Sequence, residues 1–178
     1  MNLHIGGRQD ALDHHDAILD LYQTVYVEEP YCETPEDFRH YRHWLKGELR
    51  RPGFTLVRAV EDDQLVGMAY GHIMIPGDWW RGTNTPAPEF VDDTEFAVME
   101  WAVHPDHRGS GVGGRLFRTL LDGRPERWAT LNANPKAPAY QVYLHWGWMF
   151  HGRVTSAHMP EMNILVKELA NEDVAPNR

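Results

Sequence analysis

Cysteine occurs once, at Cys32, so the chain can close no disulfide within itself and cannot build a multi-cysteine zinc site. That usage fits a reducing cytoplasm. Long apolar runs are missing as well: no stretch approaches the roughly 18 residues of a membrane span. Met1 to Asp16 lacks the basic and apolar regions of a secretion signal. Membrane spanning and secretion are both disfavoured. Positive charge is scarce, with 17 Lys and Arg against 26 Asp and Glu and a net charge of -9. A surface of that sign gains little by releasing counterions from phosphates, which argues against a nucleic-acid partner. Repeats and low-complexity tracts are also lacking, and only residues 171–178 read as a flexible tail.

What is present describes one folded domain. The 178 residues compare with about 150 for a typical domain, and 42% hydrophobic with 24% charged residues is ordinary for a packed core. A single domain over 1–170 is expected, an α/β fold with a mixed sheet. Eleven histidines would offset most of the net charge near pH 6, lowering solubility in mild acid.

Along the chain, a strand at Leu3–Ile5 leads to a helix near His14–Tyr26, with Ile18, Leu21, Tyr22 and Val25 at helical spacing. Thr34, Pro35 and Asp37 form a helix start, and Phe38, Tyr41, Leu45 and Leu49 line one face behind it. Phe54–Glu61 and Leu65–Ile75 flank Asp62-Asp63-Gln64 as a hairpin. Residues 76–93 show no period and form a long loop, a common place for function. A strand (Thr94–Val103), a helix (Gly111–Leu121), a strand (Trp128–Asn132), a short helix (Pro138–Trp146) and two strands near Trp148–Val154 and Met162–Leu169 complete the domain.

The most informative segment is His104-Pro105-Asp106-His107-Arg108-Gly109-Ser110-Gly111-Val112-Gly113-Gly114-Arg115, between a strand and an amphipathic helix. Glycines let backbone approach a phosphate, the first-turn N–H groups point outward, and the helix dipole adds about half a positive charge. Gly109, Gly111 and Gly114 also satisfy G-x-G-x-x-G, the dinucleotide pattern. That reading fails on context. Asn132 and Asn134 end the next strand where an acidic residue is required, and only one further helix follows. A glycine-rich connection without a ligand leaves four glycines beside Arg108 and Arg115 unexplained.

These residues resemble the GNAT superfamily of acyl-CoA-dependent N-acyltransferases, whose diphosphate-binding motif, [R/Q]-x-x-G-x-[G/A], is matched by Arg108, Gly111 and Gly113. Glu100-Trp101-Ala102-Val103-His104-Pro105 looks like the family's fourth strand, and Leu65-Val66-Gly67 like its third. Asn134-Pro135-Lys136-Ala137-Pro138-Ala139 with Tyr143, Gly147 and Trp148 is similar to its second half. The resemblance implies a central mixed sheet of about six to seven strands flanked by about four helices. It also implies acetyl-CoA as the cofactor and direct attack of a primary amine on the thioester. Residues 108–115, with Ala102, Val103, His104, Asn134 and Tyr140, are the cofactor-binding candidates it indicates. Asn134 either bonds the pantetheine arm or caps the following turn.

The chemistry asks for a base and an acid. An alkyl ammonium of pKa near 10.4 is deprotonated at pH 7 at a cost of about 4.6 kcal/mol, so a positioned base matters. Glu100 is the candidate, with an exposed or ion-paired strand residue as the plain alternative and Glu95 as fallback. Tyr143 is the candidate proton donor to the departing thiolate; Tyr140, three residues earlier, shares its helical face, and one of the two is expected to be packing only. Glu28, Glu29 and Tyr31 at a helix junction, and Trp79-Trp80 in the long loop, combine carboxylates with aromatics and suit a cationic acceptor. A solvated turn and two tucked tryptophans explain them equally well. Asp13-His14-His15-Asp16 reads as a solvated helix face, with no metal expected. The expectation is an N-acetyltransferase of a small-molecule amine acceptor, with homodimerisation open. A protein or peptide acetyltransferase and a non-catalytic acyl-CoA-binding module are the alternatives.

Overall fold

The computed structural model describes residues 1–156 and 159–169, and the expected tail over 171–178 lies outside them. The elements run β1 (Asn2–Gly6), α1 (Arg8–Asp13), α2 (His15–Tyr26), α3 (Pro35–Glu48), β2 (Thr55–Glu61), β3 (Gln64–Met74), β4 (Glu95–Val103), α4 (Val112–Leu121), β5 (Trp128–Ala133), α5 (Pro138–His145), β6 (Met149–Ser156) and β7 (Met159–Glu168). The strands form a seven-stranded mixed sheet in the order β1-β2-β3-β4-β5-β7-β6. Among the described residues no helix is long and apolar enough to cross a membrane.

The chain divides into two compact units. The first comprises Met1–Ile73 and Val98–Leu120; the second comprises Met74–Ala97 and the described residues from Leu121 on. In the first, β1 pairs antiparallel with β2 and β2 with β3. The β2–β3 turn holds Asp62 (φ 49°) and Asp63 (φ 61°) in the left-handed region, the geometry of a two-residue hairpin turn whose twist matches the strands. Helix α3 starts as expected. Asp37 N–H donates to Thr34 Oγ1 at 3.4 Å, Thr34 N–H donates back to the Asp37 carboxylate at 2.8 Å, and Pro35 fills the first turn. Ile18, Leu21, Tyr22 and Val25 of α2 and Tyr41 and Leu45 of α3 pack with Leu56, Met68 and Tyr70 into one core. Each fully buried aliphatic side chain there contributes about 1.5–3 kcal/mol.

Helix α1 makes five helices among the described residues, one more than the sequence leads one to expect. It has six residues and no side-chain N-cap. Its anchor is tertiary: Arg58 of β2 donates to both Asp10 carboxylate oxygens, at 2.8 Å from Nε and 2.6 Å from Nη2. The same hydrogen bonds hold the Asp10 carboxyl below the ordinary carboxylate range.

In the second unit β7 pairs antiparallel with β5 and with β6. The long loop over 76–93 is packed here. Trp79, Trp80 and Phe90 lie against Val154, Ile164 and Val166. The Trp80 indole donates to Thr130 Oγ1 at 2.8 Å, and Phe90 stacks on Trp128 with ring centres 4.2 Å apart. The two tryptophans therefore build a local core of their unit, which accounts for an irregular segment this long.

Candidate active site

The glycine-rich turn leaves β4 through His104, whose Nδ1 accepts from Asp106 N–H at 3.3 Å and whose N–H donates to Val66 O at 2.9 Å. Gly109 (φ 74°) and Gly111 (φ 81°) sit in the left-handed region, and a Cβ added to either would meet nothing within 4 Å. Backbone that only glycine adopts easily thus borders open space just before α4, whose first N–H groups have no partner within the helix. Together these features suit a diphosphate. Gly113 has a packing role as well. A Cβ there would stand 2.9 Å from the Trp101 ring, and its carbonyl accepts from Trp101 Nε1 at 3.0 Å, so this glycine lets α4 approach β4. Val112 is buried in the core, Ser110 Oγ donates to His107 O at 2.6 Å, and Arg115 is exposed beside Met1.

Arg108 is shared between two expectations. Its Nη1 meets Glu28 Oε2 at 2.7 Å while its Nε donates to Val103 O at 3.4 Å, so the motif arginine is ion-paired with an acceptor candidate. Both side chains are about half exposed, and such a pair contributes little stability.

Glu100, on β4, is 7% exposed. Its Oε1 accepts from the Tyr26 hydroxyl and, at 3.1 Å, from the Trp101 N–H. Tyr26 in turn lies 4.3 Å from the Tyr22 ring and 4.5 Å from the Tyr31 ring, and Tyr22 stacks on Tyr41 at 3.4 Å. The Tyr22 hydroxyl donates to Glu33 Oε1 at 2.8 Å, and the Tyr41 and Tyr70 hydroxyls are 3.1 Å apart. Loss of water pushes the Glu100 carboxyl from 4.5 up to about 8; the Tyr26 and Trp101 donors oppose this and the Glu33 charge adds to it. Tyr31 is pushed up to about 12, chiefly by burial and then by Glu100, with Arg108 opposing.

Tyr26, Glu33 and Tyr70 were missed by the sequence reasoning. A faint signal existed for one of them, because Tyr22 and Tyr26 are four residues apart and share a helix face. Nothing local announces that Glu100, 74 positions later, accepts a hydrogen bond from the Tyr26 hydroxyl.

Glu95, the fallback base, lies in the second unit. It is 1% exposed, neither carboxyl oxygen has a hydrogen-bond partner among the described residues, and burial followed by the Asp93 charge pushes it up to about 7. Tyr143 is buried in the same unit, with its ring edge-on to Trp148 at 6.1 Å. Tyr140 accepts from Asn163 Nδ2 at 2.9 Å, so its hydroxyl is engaged with β7. Asn134 Oδ1 accepts from Lys136 N–H at 2.9 Å, the turn-capping role. Of the expected residues, the structure brings Glu28, Tyr31, Glu100 and Arg108 together in the first unit. It puts Asn134, Tyr140, Tyr143, Trp79 and Trp80 in the second. Ala102 is buried and Val103 half-buried at the end of β4.

A profile of the acetyltransferase (GNAT) family matches residues 16–148. No curated protein sequence matches the chain. Among solved structures the chain is similar to an aminoglycoside 6'-acetyltransferase type Ii, at 18% identity and TM-score 0.64, covering 94% of this chain and 97% of that one. It is similar to the PaiA N-acetyltransferase of Thermoplasma acidophilum in complex with coenzyme A, at 12% identity and TM-score 0.61, covering 95% and 100%. A ribosomal-protein-alanine N-acetyltransferase from Brucella melitensis aligns at 19% identity and TM-score 0.62, covering 95% and 100%. At these identities the likeness speaks for the fold alone.

Proposed function

The chain belongs to the acetyltransferase (GNAT) family, and on that premise we propose that it transfers the acetyl group of acetyl-CoA to a primary amine of a small cationic acceptor by direct attack. The observation that carries this reading is Glu100, a buried carboxyl anchored through one oxygen in a nest of tyrosines, in the same unit as the open glycine turn. In its ionised form a carboxyl pushed up to about 8 is a far stronger base toward an ammonium than an ordinary glutamate, and that form grows as pH rises through 8. Tyr31, which feels the Glu100 charge, supplies an aromatic ring for a cation, and Glu28 a carboxylate that Arg108 already pairs.

The neighbour solved with coenzyme A supports that cofactor here. Gly109, Gly111 and the first N–H groups of α4 would hold its diphosphate, with Arg108 adding positive charge. When bound, acetyl-CoA supplies a thioester carbonyl open to attack. The chain's residues do the rest: Glu100 takes the ammonium proton, and Tyr143 would supply the proton that the thiolate needs. In the first unit Glu100 is buried, and its charge acts on Tyr41 and Tyr70 of the core.

The test is thiol release from acetyl-CoA with spermidine, tyramine, kanamycin and an alanine-terminated peptide as acceptors. Turnover with a small amine that collapses in Glu100→Gln supports the reading. Turnover with the peptide alone moves the acceptor class to proteins, and cofactor binding without turnover of any amine refutes catalysis.

A further inference from the structure

Both hydrogen bonds that Glu100 receives end on the same oxygen. The Tyr26 hydroxyl, from α2, and the Trp101 N–H, from β4 itself, converge on Oε1. A carboxylate oxygen that accepts two donors is fixed in position, and its carboxyl plane with it. Oε2 has no hydrogen-bond partner among the described residues and is absent from the sealed, unpartnered oxygens that include Glu33 Oε2 and both Glu95 oxygens. The two oxygens of one carboxyl are therefore unequal.

We propose that Tyr26 is a positioning residue of the acetyl transfer: it commits Oε1 of Glu100, together with the Trp101 N–H, and so leaves Oε2 as the oxygen that takes the amine proton. This rests on the reading of Glu100 as the base. The Trp101 N–H alone would leave the carboxyl free to pivot about a single bond, whereas two donors from different elements hold it. Tyr26 is well placed to stay rigid, because its ring packs between Tyr22 and Tyr31 and its own ionisation lies far above the working range, so it remains a donor throughout.

The groups facing Glu100 are Tyr22 and Tyr26 of α2, Tyr31 and Glu33 of the following turn, Tyr41 of α3 and Tyr70 of β3. The tyrosines are all held neutral by burial. Influences of opposite sign remain. Tyr26 and the Trp101 N–H donate to the ionised carboxylate and favour it, while the Glu33 charge disfavours it. Glu33 is tied by Tyr22 and touches Glu100 only through the field.

The experiment is a carbon-13 titration of the Glu100 carboxyl in glutamate-labelled protein, assigned by its loss in Glu100→Gln. Tyr26→Phe should raise the midpoint by about one pH unit, which is the tenfold expected for losing one hydrogen bond to a charged group. Glu33→Gln should lower it. With whichever amine is turned over, Tyr26→Phe should cut the rate about tenfold at neutral pH and recover above pH 9, with coenzyme A affinity unchanged. In the wild type, which needs no folding control, the Tyr26 hydroxyl proton should appear far downfield and move upfield as Glu100 protonates. An unmoved or lowered midpoint in folded Tyr26→Phe, or a hydroxyl resonance insensitive to the Glu100 titration, overturns the proposal. Undiminished rates in Glu100→Gln overturn the base reading instead, whatever the titration shows.

Discussion

Replacing Glu100 with glutamine should make the protein less active and more stable, with the gain in stability depending on pH. In the folded chain this carboxyl is pushed from 4.5 up to about 8, mainly because burial removes its water. Below about pH 4.5 it is protonated whether the chain is folded or not, and contributes no difference. Between 4.5 and about 8 the unfolded chain releases the proton and the folded chain keeps it. Each pH unit in that window therefore drains about 1.4 kcal/mol of stability. The gap of roughly 3.5 pH units sets a ceiling of about 5 kcal/mol on the penalty above pH 8, and about 3 kcal/mol at pH 7. Glutamine removes the charge and keeps an oxygen able to accept from Tyr26 and from the Trp101 N–H. Urea unfolding of wild type and Glu100→Gln at intervals between pH 4 and 9 measures the difference directly. The expected result is near equality at pH 4, a difference that widens steadily with pH, and a plateau above pH 8. A pH-independent difference, or a variant less stable than wild type at pH 9, would refute the burial argument and with it the claim that Glu100 is tuned toward neutrality.

Further outcomes follow from the same geometry. Gly111→Val should fold, at a cost of about 1–2 kcal/mol for a left-handed φ, and lose coenzyme A binding by calorimetry; unchanged affinity would place the phosphates elsewhere. Gly113→Ala should instead destabilise by about 1–3 kcal/mol through its clash with Trp101, a loss visible in thermal unfolding without any ligand. Tyr143→Phe should lower turnover by roughly 10²–10⁴ with acetyl-CoA affinity little changed, and full activity would remove its role as acid. Asp10→Asn should cost roughly 3 kcal/mol at neutral pH by leaving Arg58 without its carboxylate. Because the Asp10 carboxyl is held low, that stability is present above the ordinary carboxylate range and lost as pH falls through it, so variant and wild type should converge in strong acid.

Much of the fold is written in local patterns. The Thr34-Pro35-Asp37 start of α3, the apolar face of α2 and the Asp62-Asp63 turn are decided by residues within a few positions of one another, so periodicity and capping rules suffice. The glycine turn is legible for the same reason: Gly109 and Gly111 occupy backbone conformations that other residues resist. The sequence alone also marked Glu100 and Arg108 by their place beside that turn. What it could not decide were the partnerships that cross the chain. Helix α1 exists through Arg58, 48 residues away, and Arg108 meets Glu28 across 80. Gly113, read with its neighbours as a phosphate contact, is needed for the Trp101 ring. Tyr140 and Asn134, left open between ligand and scaffold, have atoms engaged with Asn163 and Lys136. The basicity of Glu100 is the plainest case, because it depends on desolvation, on a hydrogen bond from a tyrosine of α2 and on the Glu33 charge. All three are properties of the space around the carboxyl, and only tertiary packing assembles that space.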